Sequence, residues 1–173
     1  MKRFVLLLLV FVSITSFAKS DFSDKYVMRL RTNDLLYFIL PNEIESLDKN
    51  KSLKFDITYA TSEQDVTINM SIFTKQELVI NSIGFASDKN LLIKDFKTFY
   101  VEKEDNWWCH RISCRVPFDY LKQMYLSANS YKIEIYDNQK VLTYTFSGKT
   151  WKNEQLWMNK LLALITQNLT NKR

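Results

Sequence analysis

The side chains best able to do chemistry gather in one stretch, residues 105–117, which holds both cysteines, the only histidine, two of the four tryptophans and one of the two prolines. A thiolate at Cys109 or Cys114 with His110 as its base would make a nucleophilic dyad. Extended geometry argues against it. In a strand, side chains alternate, so Trp108, His110, Ile112, Cys114 and Val116 take one face, and Trp107, Cys109, Arg111, Ser113 and Arg115 the other. Cys109 then points away from His110. Cys114 shares its face but lies about 13 Å along the strand, at roughly 3.3 Å per residue. A packed or surface histidine is the plainer expectation. A redox pair would need Cys-x-x-Cys at a helix start, and the spacing here is wider.

The same geometry sets two readings of the cysteines against each other. An unbroken strand separates Cys109 and Cys114 by roughly 16 Å, whereas a disulfide needs Cα atoms within about 7 Å. Either the strand is broken and stapled, or it is intact and the thiols are free. The intervening His110–Ser113 contains no Gly, Pro, Asn or Asp to favour a turn. The compartment tips the choice. Met1-Lys-Arg, the apolar run from Phe4 to Val12 and the small residues Ser16 and Ala18 read as a secretory signal peptide over residues 1–18, placing the chain in a secreted or periplasmic setting where oxidation is permitted. A Cys109–Cys114 disulfide is therefore expected, closing a small loop on which the fold does not depend.

Other chemistries find little footing. One histidine and one Cys-x4-Cys pair do not make a zinc site, so no metal is expected. Two glycines, Gly84 and Gly148, cannot build a phosphate cradle or dinucleotide fingerprint, so no cofactor is expected. Carboxylates converging from distant strands would escape a linear reading, and nothing points to them. Losing Lys2 and Arg3 with the leader removes two of 24 basic residues against 19 acidic ones, and the formal charge falls from +5 to +3. That mild, interspersed charge does not mark a nucleic-acid partner. No second apolar run approaches the ~20 residues of a membrane span, so no stable anchor is expected. Aromatics are abundant, with twelve Phe, nine Tyr and four Trp. Most belong to a core; Trp107 and Trp151 fall on or near polar positions and are the candidate binding aromatics.

The elements around this stretch read as strands. Residues 53–59 and 66–72 alternate strictly apolar and polar about a short polar segment, an antiparallel hairpin whose polar face looks like plain solvated surface. Strands are also expected over residues 26–30, 35–40, 78–85 and 91–101, the third with Gly84 as a bulge. Pro41-Asn42 should end the second. Aromatics on both faces of the fourth imply a central or doubly covered strand. Pro117 at a first helical position and Asp119 in the first turn begin a short helix to about Ser127. Two strands follow, from Tyr131 and Leu142. Thr150 can cap a last helix, Trp151 to about Asn168, whose stripe is Trp157, Leu161, Leu164 and Ile165. The expectation is a single mainly β domain over residues 19–173: an antiparallel β-sandwich or strongly bent sheet of about eight strands with a short helix and a C-terminal helix.

The C-terminal half has a further pattern: Trp108-Cys109 on a strand, Val116-Pro117 opening a short helix, and Tyr144-Thr-Phe-Ser-Gly148 before the last helix. It resembles exported bacterial β-sandwich proteins of the invasion-associated locus B type. Their Ser-Leu-x-Gly-Phe turn is altered here, where the Leu is missing and the aromatic moves to Trp151. The resemblance implies a periplasmic or surface sandwich without catalytic residues. Export, and no catalytic constellation in the sequence, point to a non-catalytic binding protein, its partner another protein. A lipid carrier with a barrel-like cavity and a hydrolase with dispersed carboxylates are the alternatives.

Overall fold

The computed structural model describes residues 22–45, 51–127, 130–138, 140–146 and 148–170, and the expected leader lies outside them. The described residues form, in order, β1 (Tyr26–Leu30), β2 (Leu35–Glu45), β3 (Lys51–Ala60), β4 (Asp65–Thr74), β5 (Ile80–Ala86), β6 (Leu91–Ile93), β7 (Phe96–Glu104), β8 (Trp107–Pro117), α1 (Phe118–Ser127), β9 (Lys132–Asp137), β10 (Val141–Thr145) and α2 (Gly148–Thr170). All strand pairs are antiparallel and fall into two sheets, ordered β1-β2-β3-β4-β8-β7 and β10-β9-β5-β6. The sheets do not close into a barrel. The mainly β, sandwich-like architecture with a short and a C-terminal helix is the one expected.

Alternation fixes which face of the larger sheet is buried. Leu53, Phe55, Ile57 and Tyr59 of β3 and Val66, Ile68, Met70 and Ile72 of β4 are all buried, while their neighbours are not. β8 continues the face with His110, Ile112, Cys114 and Val116. Opposite residues in register share a face, so Met70 against Ile112 and Ile68 against Cys114 make one apolar floor. The smaller sheet, α1 and α2 close over it. Phe55 meets Phe146 edge-on at 6.2 Å, and Tyr59 stacks on Phe118 of α1 at 4.3 Å. Tyr125, Tyr131, Phe146 and Trp151 form an aromatic block in this core, with ring centroids 5.2–6.2 Å apart.

Three local expectations change. Pro41 does not end β2: the register with β3 skips between Ile39 and Asn42, and that bulge absorbs the proline, which has no N–H to give a ladder. Gly84 is not a bulge either. The irregularity of β5 lies between Ile80 and Ser82, and Gly84 leaves room for β9, since a Cβ there would sit 3.0 Å from the Tyr136 ring and 3.2 Å from Glu134 Cβ. The residues 91–101 are two strands in different sheets. Lys94-Asp95 carries the chain from β6 to β7, and β7 is an edge strand, not a central one. Its aromatics on both faces reflect exposure on both faces: every residue after Phe96 is exposed.

Candidate functional site

The outer face of the six-stranded sheet carries the most distinctive surface. Across its middle, Arg111 of β8 donates from Nη2 to Asp56 Oδ2 of β3 at 2.7 Å and from Nη1 to Ser71 Oγ of β4 at 2.9 Å. Asn69 Nδ2 donates to the other oxygen, Asp56 Oδ1, at 2.7 Å. These groups alternate with core residues along their strands, so sheet pairing alone brings them together. Both members of the ion pair are only about a quarter exposed, 26% for Arg111 and 22% for Asp56. A charge-assisted contact so placed orients both side chains and ties three strands together. The hairpin's polar face is therefore an organised network, not the plain surface its sequence implied.

Aromatic side chains rise beside this network. Trp107, half-buried at the start of β8, lies beneath Lys75, whose Nζ is 3.8 Å from the ring centroid. Such a cation over an indole contributes roughly 0.5–1 kcal/mol where water reaches it. Trp107, Phe73, Ser52, Lys54 and Glu43 line a shallow depression of about 190 Å³. Tyr100 of β7, 42% exposed, stands opposite Arg111 and hydrogen-bonds Cys109. The left-handed backbone at Asp105 (φ 51°) turns β7 into β8 and sets Glu104 opposite Trp107.

The cysteines do not form the expected disulfide. Strand β8 runs unbroken from Trp107 to Pro117, with Cys109 opposite Phe73 and Cys114 opposite Ile68. An odd separation in an intact strand puts them on opposite faces, and both are free and buried. The strand resolves the conflict because its ladder with β4 is continuous through residues 108–117. Burial pushes the Cys109 thiol up, with the Tyr100 hydrogen bond opposing it. Burial alone pushes Cys114 up to about 12. Neither is a ready thiolate.

His110 has a structural contact of its own. It is 1% exposed, and its Nε2 accepts the Leu78 N–H at 3.3 Å, tying the link between the two sheets to β8. Burial lowers its pKa, with Glu77 and Asp137 pulling the other way. An acceptor nitrogen must be unprotonated, so the neutral ring is the one this contact uses. Trp151 is also relocated. At 1% exposure, inside the aromatic block, it cannot be a surface anchor. Its helix begins at Gly148, ahead of the Thr150 cap position, which swings the tryptophan into the core.

One buried carboxylate was missed by sequence reasoning. Glu154 of α2 is 7% exposed and accepts from Asn42 Nδ2 at 2.5 Å and from Trp157 Nε1 at 2.8 Å. Burial raises its pKa to about 7, while the Trp157 hydrogen bond and the charge of Lys25 pull it down. Asn42 is the residue at which β2 re-enters register after its bulge, so this contact clamps the helix to that irregularity. The signal was available: Glu154 falls between Trp151 and Met158 on the buried stripe of α2. Its two contacts are donors, not a second acid. Among the described residues, no three His, Cys, Asp or Glu side chains converge as a metal would require, and no helix is long and apolar enough to cross a membrane. Compared with protein-family models, curated proteins and solved structures, the chain matches none.

Proposed function

We propose that this is an exported, secreted or periplasmic, non-catalytic binding protein that engages another protein through the outer face of its six-stranded sheet. The observation that carries the reading is the grouping of Trp107, Phe73 and Tyr100 with the Arg111–Asp56 pair on the face of the sheet turned away from the core. Tryptophan, tyrosine and arginine are the residues that most often dominate protein interfaces. Here the arginine is pre-oriented by its partners, which lowers the entropy lost on docking. The resemblance to exported sandwich proteins points the same way. A barrel-like lipid carrier has less support, because the sheets stay open and side chains fill the space between them. So has a hydrolase, since the buried acid Glu154 faces donors.

The test is site-specific photo-crosslinking in the exporting host. A photoreactive residue at position 100 or 107 should capture one defined protein adduct, and the same group at Lys152, exposed on α2, should not. Equal capture at all three positions, or none at 100 and 107, would remove the outer face as the interface.

A further inference from the structure

The edge strand β7 is exposed along almost its whole length. Phe99, Tyr100 and Val101 at its middle are 50%, 42% and 38% exposed, and among the described residues no strand pairs with the other side of its backbone. A free edge of nine residues rich in aromatic and β-branched side chains is a template for another strand. Lysines and a bulge are the usual means of discouraging random pairing. In β7 they do something more specific.

The register with β8 skips between Thr98 and Tyr100, so Phe99 is the extra residue. Below the skip Phe96 and Thr98 pair with core-face residues and Lys97 with an outer-face one. Above it the parity is reversed: Val101 and Lys103 lie on the core face, and Tyr100, Glu102 and Glu104 on the outer face. A regular strand meeting a second copy of itself about a two-fold axis pairs residues of equal parity. The bulge in β7 demands unequal parity instead. The longest antiparallel register that then keeps faces matched sets residues 96, 97 and 98 against 103, 102 and 101 of the second copy, and the reverse, with Phe99 and Tyr100 at the axis. In that register Lys97 meets Glu102 on the outer face, twice by symmetry, and Thr98 meets Val101 on the core face. Directly opposed opposite charges stabilise an antiparallel pair, and like charges weaken it.

We propose that β7 pairs antiparallel with β7 of a second copy of this chain, joining the two six-stranded sheets into one continuous sheet held in register by reciprocal Lys97–Glu102 pairs. The assembly is isologous and closes on itself, as a two-fold contact must. It would also place both copies' Trp107 and Tyr100 groups on one shared face.

Charge exchange tests it. The chain is produced with its own leader, recovered in the form the host exports, and followed by analytical ultracentrifugation over a wide concentration range. The wild type should dimerise. Lys97→Glu and Glu102→Lys should each weaken the dimer about tenfold, since two symmetric attractions become repulsions. The double exchange K97E/E102K should restore it. Both positions are exposed, so unchanged circular dichroism is expected, as is unchanged melting at concentrations low enough that every form is monomeric. A wild type that stays monomeric overturns the proposal. So does a dimer indifferent to either single exchange, or one that the double exchange fails to rescue.

Discussion

Replacing Glu154 by Gln should change how stability depends on pH. In the unfolded chain this carboxyl titrates near 4.5; in the folded protein burial moves it to about 7. As pH rises through the interval the unfolded state gives up its proton first, so folding holds a proton that the unfolded chain has released. Stability contributed at low pH is therefore lost between about 4.5 and 7. At about 1.36 kcal/mol per pKa unit, the loss comes to about 3 kcal/mol. Asn42, Trp157, Lys25 and the Tyr125 hydroxyl are the polar groups around it. His110 acts in the opposite sense, since its lowered pKa makes the neutral, high-pH form the stabilising one. The measurement must therefore be a difference. Urea unfolding of wild type and Glu154→Gln at pH 4.5 and pH 8, read at a common slope, should show the variant gaining about 3 kcal/mol on the wild type between the two pH values. A gap between the two proteins that does not move with pH would falsify the assignment of a buried, proton-retaining carboxyl to this position.

Alkylation with iodoacetamide at pH 8 should label neither cysteine of the folded protein and both in urea without reductant, seen as two added groups by intact mass; labelling that needs reductant would restore the disulfide. Trp151→Ala should cost about 3–5 kcal/mol, as core tryptophan truncations do, whereas Trp107→Ala should cost about 1 kcal/mol or less; similar losses on denaturant melting would contradict their different placement. Tyr125 Oη is buried without a hydrogen-bond partner among the described residues. Tyr125→Phe removes that polar atom while keeping the ring stacked on Trp151 at 5.2 Å. It should leave stability unchanged or raise it by about 1 kcal/mol, and a clear loss on thermal melting would mean the hydroxyl has a partner.

Much of the fold was legible because its strongest signals are periodic. The alternation in β3, β4 and β8 gave the right faces for every residue from Leu53 to Tyr59 and from Trp107 to Val116. Where reading failed, local chemistry was outvoted by neighbours far away in the chain. Pro41 looks like a strand end until a bulge admits it. The two-faced aromatics of β7 look central, but the sheet order leaves that strand at the rim. A linear sequence shows alternation but not which strand has a neighbour. The cysteine conflict was visible, and the intact ladder to β4 outweighed the pull of compartment. The site itself was half legible. Trp107 was singled out, but Asp56, Ser71 and Arg111 lie 15 to 55 residues apart and meet only through register. Trp151 was misplaced because its lysine neighbours suggested solvent, while the helix turns it inward.

The order of strands has a consequence for how the chain reaches this state. The larger sheet is split in sequence: β4 pairs with β8, and the strands β5 and β6 of the other sheet lie between them. The smaller sheet is split too, with Ile83 of β5 paired to Ile135 of β9. The larger sheet cannot be completed until β8 has emerged, nor the smaller until β9 and β10 have. Pairings of such long sequence separation close slowly, because the intervening loop must be ordered before any contact rewards it. The early hairpin of β3 and β4 can form, but it has nothing to bury its apolar face against. In a chain built this way the central β4–β8 and β5–β9 pairings come late, after the local hairpins have formed.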